Sequence, residues 1–405
     1  MARTKTAFAT LDSRSSRFVR IAGLLAAVAA AGGAAALYME HEGHVVTGMN
    51  NQIVWGLPHV FAIFLIVAAS GALNVASIAS VFGRTVYKPL APLSGLLAAA
   101  LLAGGLAVLV LDLGRPDRLT VAMTHFNFRS IFAWNVLLYS GFFAIVGVYL
   151  WTMLDRRMNR WTSAAGTGAF VWRLVLTTGT GSIFGFLVAR ETYHSAVMAP
   201  LFIAMSLSFG TAAFTLVVSA LYRIEGRPLG DAVLGRLARL QAIFVAAVLY
   251  FVVIQHLTVA YTARGGALEA YLLGGPYAPM FWFVQILAGT VAPLVLLLRP
   301  EFNRDRRNRL LAAGLVLLGG LAQVYVIVIG GQAWPLELFP GREVTSAAFD
   351  GTLGSYDPTP AEFLLGIGGV AVSLLIVAVA CAALRFLPES LADAAVDPHH
   401  ARADA

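Results

Sequence analysis

The stretch LPHVFAIFLIVAASGALNVASIASVF, residues 57–82, decides the fold of this chain. A helix that crosses a bilayer needs about 20 predominantly apolar residues, and this stretch exceeds that length with His59 as its only ionisable side chain. Nine further apolar stretches fall near 18–38, 90–112, 131–153, 165–188, 197–222, 240–262, 277–298, 309–330 and 361–385. The sequence therefore predicts an all-α, polytopic membrane protein with about ten transmembrane helices.

Composition supports this class and excludes others. The 405 residues are 59% hydrophobic and 12% charged, whereas soluble domains carry about 25% charged residues. Little of the chain is left for a soluble domain. The lone Cys381 lies in the last apolar stretch, which excludes disulfides, cysteine-ligated zinc and iron–sulfur clusters held by this chain alone. We expect no metal site.

The distribution of basic residues predicts the orientation. Of 28 Lys and Arg residues, 21 fall on the side of the N-terminus, six fall on the other side, and Arg173 lies within a span. Because Lys and Arg accumulate in cytoplasmic loops, we expect both termini to be cytoplasmic in a bacterial inner membrane. The net charge of +7 reflects this bias and does not indicate nucleic-acid binding. Arg17 and Arg20 could begin a secretory signal, but the run 21–37 is longer than a usual signal core, which favours a retained helix.

A faint internal repeat predicts the organisation of the spans. The residues Gly71, Ser80 and Arg84 recur 139 positions later as Gly210, Ser219 and Arg223. Helix packing alone also favours small residues, but duplication of a four-helix bundle would explain the offset. We therefore expect one membrane domain over 1–405, divided into an N-terminal segment 1–56, four-helix bundles 57–190 and 191–330, an outer loop 331–360, a last helix 361–387 and a cytoplasmic tail 388–405.

Ionisable residues concentrate near the outer ends of the spans, where they indicate a functional site because charge in hydrocarbon is costly. Asp112 and Arg115 are three residues apart and are expected to pair on one helical face, either as a plain helix-end salt bridge or as a carboxylate tuned by Arg115. Arg190 and His194 would share a face if the fifth helix continues, with Glu191 adjacent. Since such clusters come from several spans at similar depth, we expect them to surround one cavity.

A quinone suits such a cavity, because its carbonyl oxygens accept hydrogen bonds and its two-electron reduction consumes two protons, which side chains must carry. No redox-metal motif is present, so electrons must come from a partner. The cofactor is expected to be menaquinone or ubiquinone. We expect Asp112, Glu191 and His194 to relay protons, and Trp55, His59, Arg115, Tyr193, His256 and Tyr261 to bind the quinone.

Other classes of protein remain open at this point. A haem b anchor would need two axial histidines, for which His59 with His194 or His256 are the candidates. A secondary transporter or proton channel would fit the possible repeat and the intramembrane polar groups. However, carriers place their site near the midplane, where Arg173 is the main candidate. A purely structural anchor would leave the acidic and histidine residues unexplained.

Four segments together resemble the polysulfide-reductase membrane-subunit (NrfD/PsrC) family. They are VWGLPHVFAIFLIVAASGALNVAS, LVLDLGRPDRL, THFNFRSIFAWNV and the helix from His194 to Gly210. The resemblance covers spans 2–10, and the LDLGRP segment is its most specific part. The ten-span length and the closing GVAVSLLIVAVACAALRFLP are similar to the longer branch of the family, to which the DsrP subunit of a sulfite-reduction-associated complex belongs.

This resemblance implies two four-helix bundles, two additional peripheral helices, no haem, and a quinone site near the periplasmic face. His59 matches the quinone-proximal residue of the family, and Asp112 with Arg115 matches its acidic segment. Gly56 departs from the family, which has Asn there, so Trp55 or Tyr193 is expected to supply the missing contact. The implied partners are a periplasmic ferredoxin-like iron–sulfur subunit, a multihaem cytochrome c, a second membrane subunit and a cytoplasmic catalytic module.

Overall fold

The computed structural model describes residues 6–336 and 352–396, and long helices account for most of this part of the chain. In order they are α1 (Ser16–Glu42), α2 (Leu57–Ser80), α3 (Val86–Leu111), α4 (Ile131–Leu154), α5 (Thr162–Gly185), α6 (Met198–Glu225), α7 (Asp231–Ala260), α8 (Met280–Leu298), α9 (Arg306–Ala333) and α10 (Pro360–Ala383). Each overlaps one predicted stretch, so the all-α, multi-pass membrane fold is confirmed.

Several long helices are locally irregular. Helix α2 consists of Leu57–Ala72 and Asn74–Ser80, which are separated at Leu73. The first turns of α3 belong to the 3-10 segment Thr85–Leu90, and the helix continues as Ala91–Leu111. Parts of α8 and α9 are π-helical, at Met280–Val291 and Val326–Gly330. Short helices occupy His44–Val46, Pro116–Arg118, Leu119–Thr124, Asn159–Trp161, Gly265–Gly274, Pro300–Asn303 and Asp393–Val396.

Helix α5 differs from the others in hydropathy. Nine helices in the described part of the chain are long and apolar enough to cross a membrane, whereas α5 contains Arg173 and many Thr and Gly residues. Its polar side chains Arg173, Thr177 and Thr180 are buried, and the Arg173 guanidinium donates a hydrogen bond to Asn74 Oδ1 at 3.1 Å. These three polar side chains therefore face protein rather than lipid, which is how polar residues are tolerated in a span.

The helices form two rings of four. Helix α2 packs against α3 and α5, and α4 also packs against both, which closes the first ring. Helix α6 packs against α7 and α9, and α8 packs against the same two helices, which closes the second. Helices α2 and α6 join the rings, while α10 packs on α2 and α3 and carries α1 on its outer side. This is the predicted pair of four-helix bundles with two peripheral helices.

The two ends of the described chain lie together. Strand β1 (Phe8–Ala9) pairs antiparallel with strand β2 (Leu387–Pro388), and Leu229 forms a parallel bridge with Leu391. Because ten spans are an even number, both ends of the chain lie on the same side of the membrane. We call this side the terminal end and the opposite side the distal end. Residues 337–351 of the predicted loop 331–360 and residues 397–405 of the tail lie outside the described residues.

The junction between the bundles is built on the two repeated glycines. A Cβ on Gly71 would collide with the backbone carbonyl of Ser206, and a Cβ on Gly210 would collide with the backbone of Gly71. Helices α2 and α6 therefore approach at a distance that only glycine permits, as at the small-residue crossings of membrane helices. The repeated positions meet each other, as expected if the bundles are related by a two-fold axis.

The buried carboxylate of Glu362 joins two loops at the distal end, residues 43–56 and 352–359, which we call the cap. Its Oε2 accepts hydrogen bonds from the backbone N–H groups of Gly48 at 2.9 Å and Thr359 at 2.8 Å, and its Oε1 accepts one from the Tyr356 hydroxyl at 2.7 Å. With Thr359 it forms the capping box that starts α10. Burial and the nearby carboxylate raise the pKa of Tyr356, so this hydroxyl stays a donor.

Replacing this carboxylate should loosen the cap without preventing folding. Glu362→Gln replaces one acceptor oxygen with an NH₂ group that faces N–H or O–H donors, and hydrogen bonds to charged groups contribute about 1.5–3 kcal/mol each. We expect a lower unfolding temperature in detergent and faster proteolysis in residues 43–56. Glu40→Gln, a change at an exposed glutamate, is the matched control. Equal unfolding temperatures for the two variants would show that Glu362 does not hold the cap.

Candidate functional site

A histidine and an aspartate from two helices of the first bundle meet at the distal end. Helix α2 begins at Leu57 with Pro58 in its first turn, which places His59 at the membrane edge. Asp112 follows the last residue of α3. The His59 Nδ1 and Asp112 Oδ2 atoms lie 2.6 Å apart, and the side chains are 13% and 0% exposed. Two ionisable groups are therefore held together away from water.

Asp112 has unused hydrogen-bonding capacity. No described residue supplies a hydrogen bond to either of its carboxylate oxygens, and its contact with His59 is an ion pair without hydrogen-bond geometry. A buried, poorly satisfied carboxylate is costly to maintain. Such a group is a candidate for binding or proton transfer because structural ion pairs usually satisfy their remaining atoms.

An aromatic wall adjoins this pair. The Trp55 ring stacks on His59 with centroids 6.2 Å apart and an interplanar angle of 20°. Phe132 and Phe184 meet Trp55 edge-on at 5.9 and 6.0 Å. Phe132 is 45% exposed whereas Phe184 is fully buried, so the wall runs from the lipid-facing surface into the bundle. It offers a flat apolar surface beside two proton-carrying groups.

Two side chains from other elements hold Trp55 in place. Gln332 Oε1 accepts from the backbone N–H groups of Val54 and Trp55 at 3.0 Å each, and Gln332 Nε2 donates to Trp55 O at 2.9 Å. The Arg190 guanidinium donates to Gln332 O at 2.9 Å and to Gln52 O at 2.8 Å. Burial lowers the pKa of Arg190. These bonds make Arg190 a structural clamp between the two bundles.

A second histidine–carboxylate pair lies in the second bundle. His256, near the end of α7, places Nδ1 2.7 Å from Oε2 of Glu269 in the short helix Gly265–Gly274. Their side chains are 22% and 8% exposed, and Phe281 meets the imidazole edge-on at 5.0 Å. His256 is thus engaged with a carboxylate of its own bundle. The expectation that one cavity gathers all the ionisable clusters is wrong, because the structure forms two separate pairs.

Tyr193 is buried beside the aromatic wall, but its hydroxyl is already used. It donates to Val328 O at 2.8 Å, and its ring meets Phe184 edge-on at 5.1 Å. Burial raises the pKa of Tyr193. The predicted role of this hydroxyl as a quinone donor is therefore not supported by its geometry, although its ring supports the aromatic wall through Phe184.

The predicted Asp112–Arg115 pair is wrong, and Glu191 lies on the surface. Arg115 does not pair with Asp112, since its guanidinium forms two hydrogen bonds of 3.0 Å with Asp117 on the exposed surface. Helix α3 ends at Leu111 and Gly114 has φ +66°, so the expected shared helical face does not exist. Glu191 pairs with Arg264 at 3.2 Å, and the two side chains are 41% and 60% exposed.

Two predicted donors lie on the surface. Helix α5 ends at Gly185, so residues 186–197 form an irregular loop in which His194 is exposed. Helix α7 ends at Ala260, and Tyr261, directly after it, is 94% exposed. Both predictions relied on the helices continuing. Neither side chain lies beside the His59–Asp112 pair.

Glu269, Gln332 and Phe184 belong to these sites but were not predicted from the sequence. A signal for Glu269 was present, because it is the only charged residue in the apolar segment ALEAYLLGG, residues 267–275. Nothing in the sequence marks Gln332 or Phe184. Their contacts with the Trp55 segment join residues that are far apart in the chain.

The segment that contains Trp55, His59 and Asp112 is similar to known proteins. A sequence model of the family described as "Polysulphide reductase, NrfD" matches residues 45–335. The Hdr-like menaquinol oxidoreductase integral membrane subunit of Archaeoglobus fulgidus is 28% identical over 393 residues, which is 96% of this chain and 99% of that protein. A putative dimethyl sulfoxide reductase membrane subunit of Halobacterium salinarum is 29% identical, over 90% of each protein. The protein NrfD of Escherichia coli is 25% identical, over 69% of this chain and 96% of that protein.

Proposed function

Because this chain belongs to the polysulphide reductase NrfD family, we propose that it is the quinone-interacting membrane subunit of a multi-subunit oxidoreductase complex. The observation that carries this proposal is the buried His59–Asp112 pair, 2.6 Å apart beside Trp55. A proton-carrying pair and a flat aromatic surface at the membrane edge match the chemistry of a lipid-soluble, ring-shaped redox carrier. The Archaeoglobus relative is named a menaquinol oxidoreductase subunit, which supports a quinone as the substrate. We propose menaquinone or ubiquinone for this chain.

The residues at the first pair fit a quinone head group. Trp55 and Phe132 provide apolar contact for the ring, and the exposed side of Phe132 leaves a route for an isoprenoid tail toward lipid. With Nδ1 turned to Asp112, the imidazole of His59 presents its other nitrogen for a hydrogen bond to a ring oxygen. Gln332 and Arg190 fix the segment that carries Trp55.

Proton handling follows from the same geometry. Oxidation of a quinol releases two electrons and two protons. His59 accepts a proton at the nitrogen that faces away from Asp112, and the carboxylate stabilises the resulting imidazolium, as a neighbouring negative charge does. Asp112 then holds or passes on the proton, since its oxygens have no competing hydrogen-bond donors among the described residues. In quinone reduction the same groups act in reverse.

The electrons must come from or go to another subunit. The excess of basic residues at the terminal end supports an orientation with both termini in the cytoplasm of a bacterial inner membrane. In this orientation the His59–Asp112 pair would lie on the periplasmic side. A periplasmic ferredoxin-like iron–sulfur subunit at the distal end would then be the direct electron partner. The resemblance to the DsrP branch supports a role in sulfur metabolism, with a multihaem cytochrome c, a second membrane subunit and a cytoplasmic catalytic module completing the complex.

Quinone binding by the purified protein tests this proposal. Trp55→Leu removes the stacking surface, and an aromatic pair contributes about 0.5–1.5 kcal/mol beyond its buried area. We expect the Kd for a water-soluble quinone analogue to rise about tenfold, since 1.4 kcal/mol corresponds to a factor of ten. The analogue's quenching of tryptophan fluorescence, corrected for the lost Trp55 signal, or equilibrium dialysis would measure it.

Trp161→Leu is the matched control for this measurement, because Trp161 is 52% exposed and lies at the terminal end. Its Kd should equal that of the wild-type protein. An unchanged Kd in a folded Trp55→Leu protein would remove Trp55 from the quinone site. A protein that binds no quinone analogue at all would contradict the proposed function.

A further inference from the structure

The second bundle contains a cavity, lined by apolar and polar side chains, that the proposed quinone chemistry does not use. Its volume is about 40 Å³, and it lies between α6, α7, α9, the π-helical part of α8 and the short helix Gly265–Gly274. Most of its lining is apolar, including Met198, Leu201 and Val252. Seven residues with polar side chains also line it, namely Thr192, Tyr193, Gln255, His256, Glu269, Gln285 and Gln323.

Three of these side chains carry polar atoms without a partner. Glu269 Oε1, Gln285 Oε1 and Gln323 Nε2 are buried and form no hydrogen bond with any described residue. The three residues are 7%, 5% and 3% exposed. Each unsatisfied buried polar group costs about 1–3 kcal/mol, so three of them around one cavity indicate a ligand that satisfies them together.

The pattern of donors and acceptors matches water. Two acceptor oxygens and one N–H donor are what a water molecule needs for three hydrogen bonds, which is the usual number for a buried water. A cavity needs about 10–15 Å³ to hold one water, and this one is larger. A metal cation would fit less well because the Gln323 N–H group, assigned as Nε2, would point its positive end at the ion.

The helices around the cavity are distorted at the same place. The π-helical segment Met280–Val291 contributes Gln285, and the π-helical segment Val326–Gly330 contributes Val326 and Ile327 to the lining. π-Helical turns are rare and occur frequently at functional sites. Two of them on facing helices indicate that the cavity is a built feature of the bundle.

We propose that this cavity is a hydrated proton-exchange site. Glu269, Gln285 and Gln323 bind its water, and the His256–Glu269 pair exchanges protons with that water. His256 is partly exposed near the distal end, whereas Glu269 is buried, so the pair connects the outside of the bundle with its interior. A proton that reaches Glu269 through His256 can be donated from the carboxyl group to the cavity water. The site is separate from the quinone site, and its existence does not depend on the proposed function.

Radiolytic hydroxyl-radical footprinting of the whole protein tests whether water occupies the cavity. Met198 and Met205 lie on the same helix and are 4% and 0% exposed, but only Met198 is in the lining of this cavity. We expect Met198 to be oxidised several-fold faster than Met205 in the wild-type protein. Gln323→Leu, which removes the N–H donor, should reduce the Met198 rate toward that of Met205, whereas Glu40→Gln should not change it. Equal rates for the two methionines in the wild-type protein would overturn the proposal.

Infrared spectroscopy tests the exchange of protons. The wild-type protein should show a pH-dependent carboxyl band that shifts in D₂O and disappears in Glu269→Gln. A Glu269 band that does not shift in D₂O, or the persistence of the wild-type band in Glu269→Gln, would contradict proton exchange at this residue. If Glu269→Gln fails to fold, the D₂O shift of the wild-type carboxyl band and the footprinting of the wild-type protein decide together. Neither measurement needs quinone, so a failed quinone assay and a failed cavity assay remain distinguishable.

Discussion

Asp112→Asn should reduce quinol turnover of the assembled complex by about 100-fold to 10,000-fold, the range that general acid–base groups contribute. Asparagine has the size of aspartate, so the contact with His59 is kept, but the amide cannot take up a proton or stabilise an imidazolium. The carboxylate is fully buried and 2.6 Å from the imidazole, so bulk water is poorly placed to replace it. The measurement is electron transfer from quinol to the natural acceptor in native membranes, normalised to the amount of subunit.

Asp117→Asn is the matched control for this variant. Asp117 lies five positions further along the chain, and it pairs with Arg115 on the surface. Exposed ion pairs contribute little to stability, so turnover should stay at the wild-type level. If Asp112→Asn accumulates normally and turns over like the wild-type protein, Asp112 has no role in proton transfer. His59→Phe should reduce quinol turnover by a comparable factor because it removes the imidazole. The phenyl ring keeps an aromatic side chain at this position.

Gly71→Val should prevent the two bundles from joining. A valine side chain there collides with the Ser206 backbone carbonyl, and backbone cannot move aside as a flexible side chain can. Overpacking usually costs about 1–3 kcal/mol, and a clash between two helix backbones along a shared crossing should exceed this range. We expect little or no monodisperse protein after detergent extraction, and no quinol turnover.

Gly147→Val serves as the control because a Cβ at Gly147 meets nothing within 4 Å. Gly147 lies in the interior of α4. Gly147→Val changes helix propensity and side-chain size by the same amount as Gly71→Val. Its yield and size-exclusion profile should match those of the wild-type protein. Equal yields for Gly71→Val and Gly147→Val would contradict the close crossing of α2 and α6.

The long helices were predictable because apolar length is a local property of the sequence. All ten predicted spans correspond to long helices, whereas the contact between the repeated residues Gly71 and Gly210 was not predicted. Helix α5 was found by its apolar residues although Arg173 lowers its hydropathy. The closure of the two rings, in contrast, depends on contacts between distant helices, which the family resemblance supplied.

The candidate site was only partly predictable. His59 and Asp112 were both expected in it, but their partnership joins two helices and has no sequence signal. The predicted Asp112–Arg115 pair, and the helical face that Arg190 and His194 were expected to share, assumed helical spacing where α3 and α5 have already ended. Once the backbone leaves the helix, residues three or four apart no longer share a face. Tyr261 failed as a candidate for the same reason, at the end of α7.

The most direct test of the account is an experimental structure of the assembled complex with bound quinone. We expect density for the head group against the Trp55 ring and within hydrogen-bond distance of His59, with its tail passing Phe132 toward lipid. Head-group density beside His256 and Glu269, or at a position away from both pairs, would contradict the assignment of the quinone site to the first bundle.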